Sequence, residues 1–202
     1  AQVLDSAKAR PAPLNFFDGA IFMGPIVVLR GTPIATDYYR SLLAELQARN
    51  AAGHAAVPRE RLRIYWEGMP VWGRLRHLSD LFAKQRAAVV ASTYCNSWIF
   101  ADFDPDEPLE SMARAYLNIF INRDDAYKEA YIERLVREFA IDGVVYHAAR
   151  TCPNNSNSAY SLPQRLAAKG IPGIVVDGDL CDLRCFSDEQ STTLIEAFLE
   201  TL

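Results

Sequence analysis

Asp142-Gly143-Val144-Val145-Tyr146-His147 is a short β-branched run that opens on glycine and closes on a titratable side chain. It reads as a strand over Gly143 to Tyr146. On its amino side lies Asp124 to Phe139, where Tyr131, Ile132, Leu135, Val136 and Phe139 form one apolar helical face. On its carboxyl side Ala159 to Lys169 is again helical. The same alternation extends both ways, with strands at Leu62 to Trp66, Ala87 to Ala91 and Ile174 to Val176, and helices at Val71 to Gln85 and Leu109 to Asn122. A last helix opens at Ser187-Asp188-Glu189-Gln190, which has capping-box spacing. Four strands separated by helices imply an α/β fold, with a four-stranded parallel Rossmann or flavodoxin-like sheet covered on both faces. A flavodoxin-like order 2-1-3-4 places a switch point between the first and third strands.

The first part of the chain has another texture. Pro11, Pro13, Gly24, Pro25, Gly31 and Pro33 punctuate short apolar pieces before a clear helix, which starts at Thr32-Pro33 and carries Tyr38, Leu42, Leu43 and Leu46 toward Arg49. The expected division is a helical segment over 1–57 and an α/β domain over 58–202. The sequence starts at Ala1, and Val3 to Arg10 reads like the end of a helix already under way, as in a fragment or a processed form.

With 21 basic and 25 acidic side chains and a pI near 5.4, the chain lacks the basic stripe of a sequence-independent nucleic-acid binder. Ala20 to Leu29 is too short for a membrane helix and is interrupted by Gly24-Pro25. No leader pattern opens the sequence, and four cysteines in a chain this long suggest reduced thiols in a cytoplasm. The loops after the strands contain no G-x-G-x-x-G or phosphate-cradling lysine loop, which disfavours a dehydrogenase or a P-loop NTPase.

All four cysteines fall just beyond the carboxyl ends of these strands, the edge where open α/β sheets bind ligands. Candidate residues there are Glu67 and Met69 after the first strand, then Ser92, Tyr94, Cys95, Asn96 and Trp98 after the second. His147, Arg150, Cys152, Asn154 and Asn155 follow the third, and Asp177, Asp179, Cys181, Asp182, Arg184 and Cys185 the fourth. For any single Asn, Asp or Ser the competing reading is a helix cap. Cys152 is either a metal or cluster ligand tuned by its neighbours or a plain loop thiol. His147 is either an acid/base group or a hydrogen-bonded residue at a strand end. Cys181-x-x-x-Cys185 has the wrong spacing for zinc and reads as two free thiols.

The strings Ser92-Thr93-Tyr94-Cys95-Asn96-Ser97-Trp98, Arg150-Thr151-Cys152-Pro153-Asn154-Asn155-Ser156-Asn157 and Gly178-Asp179-Leu180-Cys181-Asp182-Leu183-Arg184, with Asp142 to His147, resemble the 2-hydroxyacyl-CoA dehydratase/benzoyl-CoA reductase family, and within it the B-type subunit of benzoyl-CoA reductase. The resemblance covers nearly the whole chain and corresponds to the middle and carboxyl-terminal portions of longer family members. It implies an iron–sulfur subunit, with a [4Fe-4S] cluster in the complete subunit, passing low-potential electrons to an aromatic CoA thioester. Cys152 maps onto the carboxyl-terminal cluster ligand. The remaining ligands have no counterpart here, so the chain alone is expected to lack the cluster. The implied partners are a homologous second subunit, ATP-dependent electron-activating subunits and the CoA thioester. On this reading His147, Tyr94 and Asn96 are proton or hydrogen-bond donors, and Ser92, Cys95, Trp98, Arg150, Asn154 and Asn155 line the substrate pocket. The other readings are a 2-hydroxyacyl-CoA dehydratase subunit and a CoA-ester-binding or assembly module without a cluster.

Overall fold

A computed structural model describes residues 1–99, 103–152 and 158–202. Four parallel strands, β1 (Leu62–Glu67), β2 (Ala87–Ser92), β3 (Gly143–Ala149) and β4 (Gly173–Gly178), lie in the order β2-β1-β3-β4. This is the flavodoxin-like order, which the sequence alone does not fix, with β1 and β3 adjacent at the switch point.

The helices, in chain order, are α1 (Gln2–Asp5), α2 (Phe16–Val28), α3 (Pro33–Ala52), α4 (Leu75–Lys84), α5 (Thr93–Asn96), α6 (Pro108–Leu117), α7 (Asp125–Glu138), α8 (Ser158–Ala167) and α9 (Asp188–Thr201). Period-two alternation along the strands sends Ile64, Trp66, Val145 and Val176 to one face, under α2, α4 and α9. Tyr65, Val144 and Tyr146 go to the other, under α7 and α8. Residues 1–57 contribute to both layers: Phe16 stacks on Trp66 with ring centroids 5.5 Å apart, while Ala12, Leu46 and Val57 pack in the opposite layer.

A buried arginine ties the first residues to the sheet. Arg63, on β1 and 1% exposed, donates from Nε to the Phe139 carbonyl at 2.6 Å and from its terminal nitrogens to the carbonyls of Ala7 and Ala9 and to Glu60 Oε1. Burying this charge is tolerable because four of its five N–H donors end on acceptors, one of them the Glu60 carboxylate.

Three sequence expectations change. The apolar pieces around Gly24-Pro25 form one helix, α2, that runs through the proline. Tyr39 of α3 explains how: its hydroxyl accepts from Ile26 N at 3.0 Å and donates to Phe22 O at 2.5 Å, bridging a donor and an acceptor that one helical turn would otherwise pair directly. The expected helices at Val71 to Gln85 and Leu109 to Asn122 are each divided into an α-helix and a 3-10 turn, at Trp72–Arg74 and Phe120–Asn122. Strands β3 and β4 run farther than expected because their pairing continues through His147 with Val176 and Ala149 with Gly178. His147 and Asp177 thus lie within strands rather than after them.

Candidate active site at the carboxyl edge of the sheet

The loop after β1 crosses the switch point. Gly68 has φ +96°, and a Cβ there would sit 2.9 Å from the His147 carbonyl oxygen, so the turn requires glycine both for its backbone and for its approach to β3. The Met69 carbonyl then accepts two hydrogen bonds, from Trp66 Nε1 at 3.0 Å and from His147 Nδ1 at 2.6 Å. A carbonyl only accepts, so His147 carries its proton on Nδ1. Its Nε2 is buried without a hydrogen-bond partner among the described residues, and a Cβ on Gly178 would come within 2.7 Å of it. The residue is 1% exposed, and burial pushes its pKa below the ordinary histidine value, keeping the ring neutral. The hydrogen-bonded strand-end reading of His147 describes this geometry.

A second latch joins the loops after β3 and β4. Asp179, 2% exposed, accepts at Oδ2 from Thr151 N (2.9 Å) and Thr151 Oγ1 (2.6 Å). Its Oδ1 accepts from Cys181 N and Asp182 N, both at 3.1 Å. The Thr151 hydroxyl and these amides hold the carboxyl well below the usual carboxylate range. Arg150 N donates to Gly178 O at 3.1 Å and Cys152 N to Ala149 O at 3.2 Å, so the turn bearing the half-buried Cys152 is set from both sides.

A third network joins Glu67, a sequence candidate, to Tyr65 and Thr93, which were not in the sequence-derived site. Tyr65, Thr93 and Glu67 are all buried; Thr93 Oγ1 donates to Glu67 Oε2 and shares a 2.7 Å hydrogen bond with the Tyr65 hydroxyl. With its own proton given to Glu67, Thr93 accepts from Tyr65. Burial first, and the nearby Glu67 charge second, push the Tyr65 phenol well up. Tyr65 and Glu67 share a strand face two residues apart, which was the available sequence signal. Thr93 joins them only through the β1–β2 pairing.

The remaining expected site residues separate. Ser92 and Asn96 act locally: Ser92 Oγ accepts from Cys95 N at 3.0 Å, and Asn96 Oδ1 accepts from Ser92 N at 3.0 Å. Tyr94 is half-buried, edge-on to Trp72 at 5.6 Å. Cys95 is buried against Gly19 of α2, and burial pushes its thiol up to about 12, so it is neither a thiolate nor open to the edge. With Trp98 it lines an apolar groove of about 570 Å³ between α1, α2 and α3. Asn96 lines a different hollow of about 500 Å³ bounded by α6 and α7. Arg150 lines a third, of about 280 Å³, beside the start of α9. The structure thus distributes the proposed pocket residues over three hollows. Asn154 and Asn155 lie outside the described residues.

None of the four cysteines is in a disulfide; Cys181 is exposed and Cys185 half-buried. Among the described residues, no group of three or more His, Cys, Asp or Glu side chains is placed to hold a metal ion. No helix among the described residues is long and apolar enough to cross a membrane.

The family model described as 2-hydroxyglutaryl-CoA dehydratase, D-component, matches residues 1–202. Lactoyl-CoA dehydratase subunit alpha of Anaerotignum propionicum is 30% identical over 203 residues, covering 100% of this chain and 48% of the relative. The B-type subunit of benzoyl-CoA reductase of Thauera aromatica is 30% identical over 212 residues, covering 98% and 49%. (R)-2-hydroxyglutaryl-CoA dehydratase subunit alpha of Acidaminococcus fermentans is 28% identical over 203 residues, covering 100% and 42%. The chain spans about half the length of the curated relatives it matches.

Proposed function

The chain belongs to the 2-hydroxyglutaryl-CoA dehydratase D-component family, and on that basis we propose that it is part of an iron–sulfur subunit of a benzoyl-CoA reductase-type enzyme, delivering low-potential electrons to an aromatic CoA thioester. The observation that carries this reading is the setting of Cys152: the Thr151–Asp179 latch holds its turn at the carboxyl edge of the sheet, in a chain of which 98% aligns at 30% identity with 49% of the Thauera benzoyl-CoA reductase subunit. Cys152 is proposed as one thiolate ligand, the cluster being completed by residues that are not in this chain. A bound cluster supplies one-electron chemistry at low potential.

The other side chains have narrower parts. His147, neutral and bonded to Met69, is proposed to fix the loop after β1 rather than to deliver a proton. Tyr94 remains a candidate hydrogen-bond donor at the edge, and Asn96 one in its hollow. The proposed partners are a homologous second subunit and ATP-dependent electron-activating subunits, in the reducing cytoplasm that four thiols suit. A second reading, dehydration of a 2-hydroxyacyl-CoA, is favoured by the names of the Anaerotignum and Acidaminococcus relatives. A CoA-ester-binding or assembly role without a cluster is the third.

The test is turnover by the complete complex, supplied with ATP and a low-potential donor, on benzoyl-CoA and on (R)-lactoyl-CoA, alongside iron and sulfide analysis. Ring reduction with cluster loss in Cys152→Ala supports the proposal. Turnover of only the hydroxyacyl ester moves the chain to the dehydratases, and absence of iron in both forms moves it to the binding module.

A further inference from the structure

β4 is the outer strand of the sheet, and beside its Val175 to Asp177 segment and the start of α9 lies the recess of about 280 Å³. Two opposite charges, Arg150 and Asp177, stand on its wall, and neither makes an ion pair or a side-chain hydrogen bond with the described residues. Arg184, on the same wall, differs, because its guanidinium is closed by both oxygens of Asp182, at 2.8 and 2.6 Å. Ser191 lines the recess from α9 and is only 5% exposed, yet its hydroxyl has no hydrogen-bond partner among the described residues. Val175 and Leu194, both partly exposed, supply the apolar part of the lining.

We propose that this recess binds a small zwitterion, an α-amino acid with an aliphatic side chain, its carboxylate on Arg150 and Ser191 and its ammonium on Asp177. A cation and an anion that share so small a hollow without pairing leave room for a group between them. The wall offers a carboxylate a guanidinium fork and a hydroxyl donor. It offers an ammonium the Asp177 carboxylate, and a short hydrocarbon chain the faces of Val175 and Leu194. The volume lies below the range of drug-sized ligands, as a molecule of this size requires. Ser191 carries the most weight. Water satisfies exposed charges, whereas a hydroxyl shielded from solvent loses its hydration and recovers nothing until a ligand oxygen reaches it. The site is independent of the thioester chemistry proposed above.

The probe is L-valine, titrated into the 202-residue chain and followed by nuclear magnetic resonance of the Val175, Asp177 and Ser191 amides. Two of its fragments serve as controls: isovalerate, which lacks the ammonium, and isobutylamine, which lacks the carboxylate. Valine is expected to give saturable shifts, with each fragment at least about tenfold weaker. Binding should weaken about tenfold in Arg150→Gln and in Asp177→Asn, and about fivefold in Ser191→Ala, with circular dichroism confirming that each variant folds. The fragments test the same assignment in the unmutated chain. Absence of saturable shifts overturns the proposal, as does wild-type affinity in Arg150→Gln or Asp177→Asn. Isovalerate binding as tightly as valine overturns it by making the recess a plain anion site. Equal binding of isobutylamine overturns it by showing that Arg150 and Ser191 take no part.

Discussion

Two latches hold the carboxyl edge, and they use opposite electrostatics. On the β1 side a neutral imidazole donates one hydrogen bond from a buried ring to the Met69 carbonyl. On the β4 side an ionised carboxylate accepts four, from Thr151, Cys181 and Asp182. The first depends on His147 remaining uncharged, the second on Asp179 remaining charged. A site that must keep its loops in place across a range of pH is therefore held by groups that fail at different acidities.

The largest effect is expected from Asp179→Ala, which leaves four donors without their acceptor. The amides of Thr151, Cys181 and Asp182 should lose hydrogen-exchange protection while β1 and β2 keep theirs. In a complete complex, iron affinity should fall about 10–100-fold, as when the support of a metal ligand is removed. If protection at Thr151 survives, the latch is not what sets the Cys152 turn. His147→Phe keeps the ring and removes the donor, and is expected to cost about 1–3 kcal/mol in chemical denaturation. The damage should be confined to the loop after β1, with the Asp179 contacts intact. Gly178→Ala approaches the same latch from β4 by pushing a methyl group toward Nε2, with an expected cost of about 1–3 kcal/mol. Wild-type stability in that variant would mean that β4 can yield.

Acid titration sharpens the comparison. The His147 pKa is lowered on folding, so the unfolded chain binds its proton first. The stability that this residue confers is complete above its unfolded value, about 6.5, and is lost as pH falls through that value toward the folded one. The Asp179 contribution, from a carboxyl lowered on folding, persists until far more acidic pH. The β1 loop should loosen first, followed by nuclear magnetic resonance of the Gly68 and Met69 amides; simultaneous loss of both latches would show them to be one unit. The smallest effect is expected from Tyr39→Phe, which leaves Ile26 N and Phe22 O unbridged in α2 and should cost about 0.5–1.5 kcal/mol, with no change at either latch.

The fold was readable because β-branched runs such as Val144-Val145 and helical faces such as Ile132 and Leu135 each announce a local period. Helix α2 was not, since the hydroxyl that reconnects it across Pro25 comes from Tyr39 on another helix. The candidate site was readable as an edge but not as a set of contacts. Thr151 and Asp179 are 28 residues apart, and Thr93 reaches Glu67 only because β1 and β2 pair.

What the chain determined by itself was the succession of strands and helices, and with it the residues presented at the carboxyl edge, because hydrophobic period and capping are local properties of neighbouring side chains. The tertiary structure alone decided that His147 is neutral, that Cys95 is sealed against α2, and that Asn96, Trp98 and Arg150 face different hollows. Protonation, burial and shared space depend on distances between residues far apart in sequence, and those distances exist only once the layers have packed.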